Sequence, residues 1–74
     1  MTTKFIPQIA SNNTIKLFEA QTGQLHRIIN VSGTIISQPI CLENEMYVSV
    51  DDNGVKKILF FSLPYGGLSR IQNF

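Results

Sequence analysis

Tryptophan is absent, cysteine occurs once, and charged side chains make up only 15% of the 74 residues. With Cys41 alone, no internal disulfide can form, and no CxxC or Cys/His cluster offers a structural zinc site. No apolar run is long enough to cross a bilayer, and MTTKFIPQIA lacks the apolar stretch of a secretory signal. A cytoplasmic protein is therefore expected, or a virion component if the chain is viral. The six basic residues, Lys4, Lys16, Arg27, Lys56, Lys57 and Arg70, are scattered, and the net charge is only +1. That pattern gives no electrostatic footprint for nucleic acid.

These absences leave a problem of stability. A domain of this size buries only about 60% of the surface its unfolded chain exposes, so it is marginal without a staple. Hydrophobic residues reach 43%, while the charged fraction falls well below the usual ~25%. So few charges cannot cover the surface of a short chain. Part of its exterior is expected to be an interface, and oligomerisation is the staple that remains.

What the chain does contain is a repeat. Residues 14–31, TIKLFEAQTGQLHRIINV, return as residues 57–74, KILFFSLPYGGLSRIQNF. Seven of eighteen aligned positions are identical: Ile15/Ile58, Phe18/Phe61, Gly23/Gly66, Leu25/Leu68, Arg27/Arg70, Ile28/Ile71 and Asn30/Asn73. Unrelated segments share roughly one, or two or three with a chosen register. The offset from Gly23 to Gly66 is 43 residues, and a period of about 40–45 residues is the length of a four-stranded propeller blade.

Turn signals recur about every 8–12 residues, which is an all-β spacing. They bound seven expected strands: Phe5–Ser11, Thr14–Ala20, Gln24–Asn30, Thr34–Leu42, Glu45–Asp51, Val55–Leu63 and Leu68–Phe74. Met46, Val48 and Val50 alternate onto one face. Ile58-Leu59-Phe60-Phe61 is instead continuously apolar, as in a strand covered on both sides. Asn53-Gly54 predicts a type I′ hairpin, and Gly23 and Gly66 are expected to supply left-handed residues at equivalent turns.

The stretch IASNNTIKLFEAQTGQLHRII resembles the second half of a WD-type propeller blade. Phe18-Glu19 stands at the Trp-Asp place, Thr22-Gly23 at the turn and Leu25-His26-Arg27-Ile28 on the outer strand. Residues 34–74 resemble a whole blade. The chain departs from the family in lacking a Gly-His dipeptide and any tryptophan, and in placing Ser62 at the acidic position. The resemblance implies an antiparallel all-β meander in a single unit, 1–74. Within it, 1–31 would be an incomplete blade (strands b, c, d) and 32–74 a complete one (strands a, b, c, d).

An incomplete blade needs a partner. Four chains of seven strands would supply seven four-stranded blades, and three chains would give a six-bladed ring with some blades three-stranded. The expected partner is a second copy of the chain, or else a larger structural protein. The interface residues expected from the repeat and the apolar run are Arg27, Arg70, Phe60, Phe61 and Phe74. Nucleic acid, membrane and small-molecule ligands are not expected.

No catalytic constellation accompanies them. His26 has no carboxylate or cysteine at a spacing that forces contact, and its repeat equivalent is Ser69, so an exposed strand residue is expected. Cys41 lies in the apolar PICL and reads as a buried structural thiol. Asp51-Asp52-Asn53-Gly54 lacks the alternating carboxylates and distal glutamate of a calcium loop, which leaves a hairpin turn. Glu43 and Glu45 flank a turn without a pocket to desolvate them. The chain is thus expected to be no enzyme and to hold no cofactor or metal. It reads as a structural module that forms or completes a ring, with a virus or phage particle as the setting. A small lectin-like oligomeric propeller is the alternative, and the missing tryptophan disfavours it.

Overall fold

The short strands and the frequent turns between them organise the chain into two antiparallel sheets. The computed structural model describes residues 4–73 and is all-β, without a helix among the described residues. Strands β1 (Phe5–Ser11), β2 (Thr14–Glu19) and β3 (Leu25–Asn30) form a three-stranded sheet in chain order. The second sheet contains β4 (Thr34–Ile35), β5 (Ile40–Leu42), β6 (Glu45–Asp52), β7 (Val55–Ser62) and β8 (Gly67–Asn73). Strands β6, β7 and β8 run consecutively, and β4 and β5 share the outer edge of β6.

The single strand expected over Thr34–Leu42 is therefore two strands, and the reason is a bulge. Ile35 faces Val50 and Ile40 faces Tyr47, so five residues advance against three. Ile36 N–H still reaches the Ser49 carbonyl at 3.0 Å. Beyond it, Ser49 N–H donates to Ser37 Oγ at 3.1 Å instead of to a backbone oxygen. Pro39, which has no N–H, lies in the same interruption. The remaining strands lie within two residues of their expected bounds; that of the last, at Phe74, falls outside the described residues. Asn53 and Gly54 both take positive φ, 54° and 86°, as the type I′ turn requires.

The sequence repeat is also a repeat of register. Leu17 faces Arg27 and Phe18 faces Leu25; 43 residues later Phe60 faces Arg70 and Phe61 faces Leu68. Each pairing skips one residue, so His26 and Ser69 occupy the same bulge. At the preceding turns Gly23 N–H donates to the Glu19 carbonyl at 2.8 Å and Gly66 N–H to the Ser62 carbonyl at 2.6 Å. Both glycines are left-handed, at φ 74° and 79°.

The core lies between the two sheets. Ile15, Leu17, Ile29 and Val31 enter it from the first sheet side, and Met46, Val48, Val50, Leu59, Phe61 and Leu63 from the second. The alternation of Met46, Val48 and Val50 thus does what the sequence pattern implies, since all three are fully buried. The repeated strands, however, turn opposite faces to this core. Ile15 and Leu17 are buried while their equivalents Ile58 and Phe60 point outward. Leu59 and Phe61 are buried while Lys16 and Phe18 point outward. Two copies of one unit are therefore stacked facing the same way, the front of one against the back of the other.

Polar contacts fix this stacking. Ile35 N–H donates to the Asn12 carbonyl at 2.7 Å, which ties β4 to the β1–β2 turn. His26 Nε2 donates to the Pro64 carbonyl at 2.8 Å, and its ring lies 4.8 Å from that of Phe5.

Candidate functional site

Each sheet keeps one face that no other described residue covers. On the second sheet, pairing across the strands places Ile40, Tyr47, Phe60 and Arg70 in one row. The Arg70 guanidinium carbon lies 4.1 Å from the centre of the Phe60 ring, a cation–π distance. The Tyr47 and Phe60 rings are 5.7 Å apart and tilted by 34°, within the range for stabilising aromatic pairs. Ser49, Ile58 and Gln72 form the next row, and Ile40 and Leu42 are exposed at the edge.

The first sheet is open on its other face. There Ile6, Phe18 and Leu25 make one row, and Gln8, Lys16 and Ile28 the next. Ile6, Leu25 and Ile28 are 53%, 49% and 50% exposed. Ile6, Leu25, Ile28, Ile40 and Leu42 are exposed on these two outer faces, while Leu68 and Ile71 are exposed on the inner side of β8; contiguous apolar surface of this kind is a feature of surfaces that dock.

Of the expected interface residues, Phe60 and Arg70 come together on the outer face of the second sheet. Phe61 does not, since it is buried in the core between the two sheets of one chain. Arg27 reaches the seam between the sheets, where its Cδ lies 2.6 Å from the position of a β-carbon on Gly66. Phe74 lies outside the described residues. Phe18, Ile28 and Tyr47, not expected from the sequence, also lie on these outer faces. Phe18 had a usable signal in its alignment with Phe61, because a repeat stacked front to back must leave one member of each such pair outward.

The remaining candidates are not assembled into a reactive centre. His26 is half-buried rather than exposed, because the bulge turns it into the seam, where Nδ1 lies 3.7 Å from a Glu19 carboxylate oxygen. Cys41 packs at the margin of the core, and burial pushes its thiol above the ordinary value. Asp51 Oδ1 accepts the Gly54 N–H at 2.8 Å, which employs this carboxylate in the turn. Among the described residues, no three His, Cys, Asp or Glu side chains converge as metal ligands. Among the described residues there is no helix long and apolar enough to span a membrane.

The free edge of β1 is the place a fourth strand would occupy in the first sheet. Ala20 N–H donates to the Lys4 carbonyl. Antiparallel alternation then directs the main-chain groups of Phe5, Pro7 and Ile9 away from β2. Pro7 has no N–H to donate, so an added strand would lose a bond at the middle of that edge. The outer faces, in contrast, carry no such obstacle.

No family model matches the chain, and neither a curated protein nor a solved structure matches it.

Proposed function

We propose that this chain is a non-enzymatic assembly module whose copies stack through their outer sheet faces into a propeller-like ring. One observation carries this reading. Two repeated sheets already stack within the chain, and each still has a half-apolar face open to solvent. The seam inside one molecule thus supplies the pattern for a seam between molecules.

Each chain brings two sheets. Rings of stacked whole sheets contain even numbers of them, and propellers of 4–8 blades would take two, three or four copies. The reading is supported by the low charged fraction, by the blade-length period and by Pro7 at the open edge. The proposed setting is a virus or phage particle, where short chains arranged in rings build symmetric structure. Native mass spectrometry at micromolar concentration is the test. A discrete multiple of the 8.3 kDa chain is expected, and a compact monomer would defeat the self-assembly reading in favour of docking onto a larger protein.

The Tyr47–Phe60 pair favours a second reading, an oligomeric lectin, because aromatic faces stack on sugars. Arg70 lies over Phe60 and occupies one face of that ring, which supports the assembly reading. Glycan-array binding by the assembled protein, lost in Tyr47→Ala, would reverse the preference.

A further inference from the structure

We infer that the copies meet head to tail: the outer face of the second sheet of one chain receives the outer face of the first sheet of the next. Arg70 then crosses Gly23 of that neighbour. This inference rests on the assembly reading and adds to it the polarity and the contact.

The chain's own seam is the template. Inside one molecule the face bearing Ile15, Leu17 and Arg27 packs on the face bearing Leu59 and Phe61. Moving each residue by the 43-residue period turns the first set into Ile58, Phe60 and Arg70, and the reverse shift turns the second into Lys16 and Phe18. Those residues form the two uncovered faces. The match extends to register, since Arg27 and Arg70 pair with Leu17 and Phe60 at the same step before the same bulge.

The glycines mark the contact most sharply. At Gly66 a β-carbon would collide with Arg27 Cδ, with the Ile29 side chain 3.4 Å away. At Gly23, which has the same turn and nearly the same φ, a β-carbon would meet nothing within 4 Å among the described residues. Among the described residues nothing at Gly23 takes the place that Arg27 has at Gly66, and Arg70 is the equivalent side chain without an equivalent seat. One departure is Lys16 at the place of Leu59.

Contacts between unlike faces are heterologous and build rings or filaments, whereas like faces pair into two-fold dimers. Complementation separates these cases. Phe18→Glu, at the equivalent of the buried Phe61, spoils one face and Phe60→Glu the other, so each variant alone should run as a monomer in native mass spectrometry. Mixed in equal amounts they should give a dimer containing one chain of each, through the two intact faces.

Three results would overturn the inference: an assembled wild type that either substitution leaves unchanged, either variant alone forming a dimer, or no mixed dimer from variants that both melt cooperatively. A monomeric wild type would instead overturn the assembly reading itself. Should either glutamate variant fail to fold, a disulfide decides. In a Cys41→Ala background, Gly23→Cys chains mixed with Arg70→Cys chains should form a covalent heterodimer on oxidation. Arg27→Cys with Gly66→Cys in one chain is the positive control, and an uncrosslinked mixture beside a closed control overturns the inference.

Discussion

The side chain of Arg27 lies across the bare backbone of Gly66, with its Cδ 2.6 Å from where a β-carbon would stand. One sheet therefore reads the absence of a side chain on the other. Gly23 has the same left-handed turn with no described side chain across it, so the two glycines separate a backbone requirement from a packing requirement.

In Gly66→Ala both requirements are violated. An L-residue in the left-handed region costs roughly 1–2 kcal/mol, and Arg27 must also move. Gly23→Ala incurs the first cost only within a single chain. Urea unfolding of dilute protein should show Gly66→Ala as the less stable, and adding Arg27→Ala should recover only the packing part. Equal losses in both glycine variants, unrelieved by Arg27→Ala, would mean that the arm has no energetic role.

Core and outer positions of the same repeat should respond differently. Leu17 is fully buried and its equivalent Phe60 is half-exposed. Leu17→Ala is expected to cost about 2–5 kcal/mol, a large part of the several kcal/mol that holds a domain of this size. Phe60→Ala should cost a dilute monomer less than half as much, despite removing a larger side chain. Chemical denaturation of both variants checks the order, and a reversed ranking would misplace the core.

Burial raises the Cys41 thiol above its ordinary value of 9.0. The folded state therefore favours the protonated thiol, and the unfolded chain ionises first. Stability linked to this group is complete below pH 9.0 and declines as the pH rises through the elevated value. Native protein should react with a thiol reagent at pH 8 more slowly than protein in urea. Cys41→Ser should weaken the alkaline loss of stability, as thermal melts across that range would show.

Local chemistry made much of this fold legible. Asn53-Gly54 specified its hairpin, Gly23 and Gly66 their turns, and Met46, Val48 and Val50 their common face. The split at Ser37–Pro39 was hidden, because a hydroxyl that replaces a backbone acceptor leaves no period in the sequence. Phe60 and Phe61 show the deeper limit. Adjacent strand residues point to opposite faces, yet a run of four apolar residues does not say which face the chain covers and which it leaves open. His26 departs from its expected exposure for a related reason: its orientation depends on a one-residue bulge, which only the pairing of β2 with β3 reveals.

Mass action gives the remaining prediction. Ile6, Leu25, Ile28, Ile40 and Leu42 are all between 44% and 57% exposed, and transferring such surface out of water is worth roughly 25 cal/mol per Å² before the cost of association. If copies cover these faces, folding and association are linked, and the melting temperature must rise with protein concentration. A monomer melts at one temperature at every dilution. The wild-type chain should therefore gain several degrees over a hundredfold concentration series by calorimetry. Arg70→Ala, which removes the guanidinium from Phe60 and from its proposed seat, should flatten that dependence far more than it lowers the melting temperature of the most dilute sample. A concentration-independent wild type would show that the outer faces stay wet.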